Sequence, residues 1–110
     1  VGGLHLPTDN IIASAVPVLM KSVFEAGIPT VAGEGGMVRA GILASIAVDY
    51  YTLGKMTGAM GADILDGKKK PADMPIQSQK AEKVLVNLKT AETMGIQIPE
   101  DILKTAETVK

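Results

Sequence analysis

Apolar residues in the first quarter of the chain recur with a helical period. Ile11, Ile12, Ala15, Val16, Leu19, Met20, Val23 and Phe24 form pairs repeating every fourth position. This stripe predicts an amphipathic helix over residues 10–26. Asp9 or Asn10 is its natural N-cap and Gly27 its C′ residue. Pro17 falls inside and is expected to kink the helix or delay its regular start. Residues 1–6 read as a short buried strand, residues 28–32 as a second, and the apolar run 42–48 as a third. A helix is predicted over 50–66, with Leu53, Met56, Thr57, Met60, Ile64 and Leu65 facing inward. Residues 74–78 read as a short strand or an extended crossing, and 83–87 as a further strand. Asn87 can cap a helix over 88–94 that Gly95 ends. Pro99 at N1, with Glu100 and Asp101 in the first turn, opens a last helix.

Strand and helix patterns alternate, which predicts an α/β fold with a mostly parallel sheet flanked by helices. Residues 66–80, containing Pro71 and Pro75, form the one linker-like stretch. Gly33-Glu34-Gly35-Gly36 places three glycines in four residues. Such a loop needs unusual backbone angles or close approach to another group. One helical turn over 37–40 is expected after it. Gly54, Gly58 and Gly61 each cost the 50–66 helix roughly 1 kcal/mol relative to Ala, which is tolerable where a helix packs closely on another backbone. Lys55, Asp63 and Asp66 argue against reading these glycines as a membrane packing motif.

Composition narrows the function classes. The net charge of −1 supplies no basic field for a nucleic-acid backbone, so no nucleic-acid partner is expected. Lys68-Lys69-Lys70 reads as a solvated loop tip. With no Cys, disulfides, thiolate metal sites and cysteine nucleophiles are excluded. Aromatic residues make up only 3%, so aliphatic side chains and Met must fill the core. No apolar run approaches the roughly 20 residues that span a bilayer, and no signal peptide is visible. Val1 already lies in a predicted strand, so the chain is expected to be a piece of a longer protein whose targeting segment lies upstream.

The chemistry-bearing residues fall where strands stop. The first strand ends at Thr8-Asp9-Asn10, the second at the Gly33–Gly36 run, and the third at Asp49-Tyr50. Ligands of open parallel sheets bind outside the carboxyl ends of the strands. Parallel strands would bring Asp9, Glu34 and Asp49 to one edge, ringing a single crevice. Crowded carboxylates repel unless a cation or hydrogen-bond donors join them, and a ligand ammonium or a set of hydroxyls would do so. Each acid also has a simpler reading: Asp9 and Asp49 as helix caps, Glu34 as an exposed turn acid. Tyr50 and Tyr51 can equally be core or edge aromatics. His5 alternates with Leu4 and Leu6 and reads as structural. No metal-ligand spacing, nucleophile elbow, phosphate loop or dinucleotide fingerprint is present, so no metal, cofactor or enzymatic activity is expected.

The pieces PTDN (7–10), GEGGMVRAG (33–41), DYY-x-LG-x-x-x-G (49–58) and GI-x-IPEDIL (95–103), within a match over essentially all 110 residues, resemble a known family. They are similar to the C-terminal part of ABC-importer substrate-binding proteins with the type I periplasmic-binding-protein fold. The resemblance is nearest to a branch of uncharacterised lipoproteins, some of which bind aromatic amino acids. It implies a two-lobed protein with Rossmann-like lobes and the ligand between them. Residues 1–48 would belong to the C-terminal lobe, 49–80 would cross the hinge and complete the N-terminal lobe, and 81–110 would return. Thr8, Asp9 and Asn10 match a lobe loop that touches ligand. Glu34 matches the acid that accepts the ligand ammonium in amino-acid binders of this fold. Asp49 sits beside a hinge position where sugar binders carry a polar contact. With Tyr50 these form the candidate ligand-binding set.

The resemblance implies an extracytoplasmic protein, periplasmic or lipid-anchored, that captures a small ligand such as an amino acid and delivers it to a membrane permease. The effector-binding domain of a transcription regulator, which shares the fold, is the alternative; a small-metabolite enzyme ranks behind it. A chain this short leaves sheet edges and apolar faces uncovered, so it is expected to dimerise or exchange strands.

Overall fold

The computed structural model describes residues 1–80 and 83–110. They divide into two compact units, Val1–Ala47 with Lys83–Lys110, and Val48–Glu82.

The first unit is built on a sheet in the order β1-β2-β3-β4-β5: β1 is Leu4–Leu6, β2 Thr30–Ala32, β3 Ala44–Ala47, β4 Lys83–Asn87 and β5 Glu107–Val109. β1, β2 and β3 run parallel, with Leu6 opposite Ala32 and Ala32 opposite Ser45. β4 turns antiparallel against β3, and β5 is parallel to β4. The mostly parallel α/β sheet expected from the alternating pattern is therefore present. Residues 107–109 carry no strand signal in the sequence, and β5 exists because β4 offers it a ladder.

Helix α1 spans Asn10–Ala26, and its ends are written locally. Asp9, extended at φ −146°, caps it, and Gly27 closes it at φ 62° with its N–H on the Phe24 and Val23 carbonyls. The regular start is not delayed by Pro17: the helix begins at Asn10 and is continuous through an exposed Pro17. Its inward stripe is narrower than the sequence suggests. Val16, Met20 and Val23 are buried, whereas Ile11 is 78% exposed. The residues 1–6 strand also shrinks to three residues, of which only Leu6 is buried, since β1 lies at one edge of the sheet.

Side chains alternate across a strand. One sheet face carries Leu6, Ala32 and Leu85. Leu6 and Ala32 pack with Val16, Met20 and Val23 of α1 and with Met37 of the short helix α2 (Gly35–Arg39) and Ile42 into the main core. Val38, Ala47 and Leu85 form a smaller cluster beside it. Polar groups on the same side are satisfied at long range. Thr30 Oγ1 accepts from the Leu43 N–H at 3.2 Å. Asn87 Nδ2 donates to the Val38 carbonyl at 2.9 Å, while Asn87 Oδ1 accepts from the Thr90 N–H at 3.0 Å. That second bond caps α4 (Leu88–Met94), which Gly95 ends at φ 66°. Helix α5 runs over Glu100–Thr105, and Pro99 is its N-cap rather than its first helical residue. On the opposite face Val31 and Ile46 stay 42% and 57% exposed.

Ser45 is the exception to polar satisfaction. Its hydroxyl is buried and has no hydrogen-bond partner among the described residues. An orphaned hydroxyl carries its full desolvation cost. Ser45→Ala is therefore expected to leave the fold intact and raise stability by about 1 kcal/mol, read as an increase in the urea midpoint. A loss of stability would show that the hydroxyl is satisfied in solution.

The second unit consists of α3 (Tyr50–Leu65), a 3-10 turn at Pro71–Asp73 and an extended strap to residue 80. No residue of α3 is buried, and Leu65 is 90% exposed. The predicted inward face of Leu53, Met56, Thr57, Met60, Ile64 and Leu65 therefore has no inside within this unit. One helix and a strap do not make the two layers that a core needs. Gly54, Gly58 and Gly61 likewise face open space. The 74–78 stretch forms no strand.

Candidate functional site

Among the described residues α1, α2 and α3 are each preceded by an acid, and each of those acids caps its helix. Asp9 Oδ1 accepts from the Ile11 and Ile12 N–H groups at 2.8 and 2.9 Å. Glu34, extended at φ −149°, caps α2: Oε2 takes the Gly36 N–H at 2.9 Å and Oε1 the Met37 N–H at 2.7 Å. Asp49 caps α3, with Oδ1 accepting from Tyr51 and Thr52 N–H groups and Oδ2 from the Thr52 hydroxyl at 3.0 Å. Gln79 Oε1 in turn accepts from the Asp49 N–H at 3.1 Å.

Capping does not exhaust the Asp9 and Glu34 carboxylates. An ionised carboxylate offers about four lone-pair sites. Glu34 uses one on each oxygen, and Asp9 caps through Oδ1 alone. The starts of α1 and α2 thus each hold an anchored anion whose position is fixed by backbone amides, with acceptor capacity left over. A fixed anion of this kind can receive a cationic or hydroxyl-bearing group without first being ordered.

The topology places two of these starts side by side. β1 and β2 are parallel neighbours ending in register at Leu6 and Ala32. The loop Pro7-Thr8-Asp9 and the loop Gly33-Glu34 therefore leave the same carboxyl edge. Gly33 N–H donates to the Leu6 carbonyl at 2.9 Å, extending the pairing one residue past β2. The loops touch closely enough that a Cβ on Gly33 would lie 2.6 Å from Thr8 Oγ1. Thr8, Asp9 and Asn10 are exposed at this rim, and Glu34 is half-buried. Asp49 and Tyr50 belong to the second unit, two and three residues past the end of β3; Tyr50 is the first residue of α3 and is exposed.

The glycine run resolves into close approaches. None of Gly33, Gly35 and Gly36 has a positive φ. Gly33 makes room for Thr8, and Gly36 for the Glu34 carboxylate, which an added Cβ would meet at 2.9 Å. The capping role of Glu34, and the start of α2 at Gly35 rather than residue 37, were missed because Glu is not among the favoured N-cap residues. The two glycines that follow Glu34 are the signal that could have revealed it.

Away from this rim, Lys83 accompanied by Arg39 engages Glu107 on β5. The hydrogen bond and charge of Lys83, helped by Arg39, hold the Glu107 carboxyl below its ordinary value. Among the described residues no group of three or more His, Asp or Glu side chains is placed to hold a metal ion, and no helix is long and apolar enough to cross a membrane.

A family model described as ABC transporter substrate binding protein matches residues 1–110. A Streptococcus pneumoniae ABC domain solved in complex with L-Trp is 38% identical, with a TM-score of 0.86 over 100% of this chain and 37% of that one. A ligand-free, open substrate-binding protein with adhesive properties from Clostridium difficile is 33% identical, with a TM-score of 0.75 over 97% of this chain and 36% of that one. A tyrosine-binding protein of Clostridioides difficile is 34% identical over 94 residues, 86% of this chain and 27% of its own length. The chain thus spans about a third of the solved relatives and a smaller share of the curated one. The family is one of substrate-binding proteins, not of enzymes. With a model match along its whole length and relatives sharing its sheet, this chain belongs to the ABC transporter substrate-binding proteins.

Proposed function

We propose that the full-length protein is the solute receptor of an ABC importer and that it takes an aromatic amino acid. The single observation carrying this reading is the rim at the carboxyl edge of β1 and β2, where Asp9 and Glu34 are anchored anions with acceptor capacity to spare. Glu34 receives the ligand ammonium. Thr8, Asp9 and Asn10 orient the ligand. The relatives that bind L-Trp and tyrosine support the choice of ligand class. Within this reading the first unit is part of one lobe and the second unit part of the other. Lobe closure around the ligand yields the form that docks on a membrane permease, and the protein works outside the cytoplasm, free or lipid-anchored.

Isothermal titration calorimetry of the full-length protein with L-tryptophan, L-tyrosine and L-leucine tests the ligand class. Saturable binding of the first two at micromolar affinity or better, with leucine far weaker, is the expected result. Binding of leucine as tight as tryptophan, or of none of the three, would overturn it.

A further inference from the structure

We propose that Gly33 is a positioning residue of the ligand site, setting the separation between the Thr8-Asp9-Asn10 loop and Glu34; this rests on the receptor reading of that rim. Nothing in the backbone angles at position 33 demands glycine, since its φ is not positive. The demand comes from space. An added Cβ would lie 2.6 Å from Thr8 Oγ1, 3.2 Å from Thr8 N and 3.7 Å from the Pro7 carbonyl carbon.

The chain cannot easily retreat. The Gly33 N–H is held on the Leu6 carbonyl at 2.9 Å, and the next residue is tied down by two α2 amides through its carboxylate. On the other side, Thr8 is followed by Asp9, which is bonded to the first amides of α1. A methyl group at position 33 must therefore displace Thr8. The threonine Cβ carries a hydroxyl, a methyl and one hydrogen, so turning the hydroxyl aside relieves the contact only in the rotamer that puts the hydrogen there; the other puts the methyl there. If the side chain does not turn, the loop must move by roughly 0.8 Å to reach an ordinary contact of 3.4 Å. Either response changes the spacing of ligand-facing groups without removing any of them. Misplacements of this size are enough to cost a well-ordered site much of its affinity.

The test is a double-mutant cycle on the full-length protein, with L-tryptophan and L-tyrosine as probes. Gly33→Ala, Thr8→Ala and the double variant are compared with wild type by calorimetry and thermal melting. Gly33→Ala is expected to weaken binding about tenfold or more. Thr8→Ala removes the obstructing hydroxyl and is expected to cost only a few-fold. The double variant should bind nearly as well as Thr8→Ala alone, because the hydroxyl clash has gone and the remaining 3.2 Å approach to Thr8 N is relieved by a shift of a few tenths of an ångström. A purely structural glycine would lower the Tm of Gly33→Ala and leave the affinity of the folded protein at the wild-type value. That result overturns the proposal, as do losses that multiply in the double variant. If Gly33→Ala fails to fold, the double variant decides: folding with nearly the affinity of Thr8→Ala supports the positioning role, and failure to fold or markedly weaker binding overturns it. Wild-type protein that binds neither amino acid defeats the receptor reading and takes this role of Gly33 with it, whereas wild-type binding with an indifferent Gly33→Ala defeats the positioning role alone.

Discussion

Glu34→Ala in the full-length protein is expected to weaken an amine-bearing ligand by more than about tenfold, equivalent to about 1.4 kcal/mol or more. A charge-assisted hydrogen bond from an ammonium to a carboxylate is about twice as strong as a neutral one, and closure over the ligand strengthens it by excluding water. The same substitution removes the cap of α2, where Glu34 takes the Gly36 and Met37 amides. Loss of a cap costs about 0.5–2 kcal/mol of stability. Glu34→Gln separates the two effects. Its amide oxygen can still accept an amide of α2, so most of the stability should return, while the negative charge that attracts the ammonium does not. Calorimetry showing full affinity in both variants would remove Glu34 from the site. Full affinity in Glu34→Gln alone would make the residue a cap whose loss merely loosens the rim.

The second large effect concerns stability. Asn87 is buried and joins three parts of the first unit: its N–H reaches the Leu43 carbonyl at 2.8 Å, Nδ2 reaches the Val38 carbonyl, and Oδ1 caps α4 through Thr90. Thr90 adds a bond from its hydroxyl to the Gly41 carbonyl at 2.8 Å. Asn87→Ala leaves the Val38 carbonyl without its side-chain donor and the first turn of α4 without its cap. The Val38 carbonyl keeps the Gly41 N–H at 3.1 Å, so a cap lost at about 0.5–2 kcal/mol and one hydrogen bond lost at about 0.5–1.5 kcal/mol sum to about 1–3.5 kcal/mol. That is a large share of the roughly 5–15 kcal/mol that holds an ordinary domain together. Urea denaturation reads it as a lower midpoint, and a change below about 0.5 kcal/mol would mean that water replaces both bonds. Asn87→Asp keeps an oxygen for Thr90 but points a second oxygen at the Val38 carbonyl, so it is expected to recover only part of the loss.

Much of the local structure was readable from the chain. The helices over 10–26 and 88–94 carry their own boundary marks, Asp9 with Gly27 and Asn87 with Gly95, and both are capped in that way. Caps are legible because the capping side chain and the amides it satisfies lie within three residues. The apolar runs over 28–32, 42–48 and 83–87 were equally visible as strands. Alternation of strand and helix gave the α/β class, since that alternation leaves few ways to bury the apolar side of each element. The candidate residues at strand ends followed from the same logic, and in the structure Asp9, Glu34 and Asp49 are helix caps.

What stayed hidden was whatever depends on a distant partner. β5 has three residues and no pattern of its own, and only the ladder of β4 makes it a strand. The antiparallel direction of β4 is a property of the pair rather than of either sequence. The apolar stripe of α3 promised a core that its own unit does not contain, because an amphipathic pattern states that a face is to be covered without saying by what. The glycines at 33 and 36 announced close approach, but only the folded chain identifies the neighbours as Thr8 and the Glu34 carboxylate. Hydrogen bonding within a turn is decided by residues a few positions apart, so the chain itself determines it. Contact between two loops 25 residues apart in number, such as Thr8 and Gly33, arises only when two parallel strands set their ends together, and that is a property of the tertiary structure.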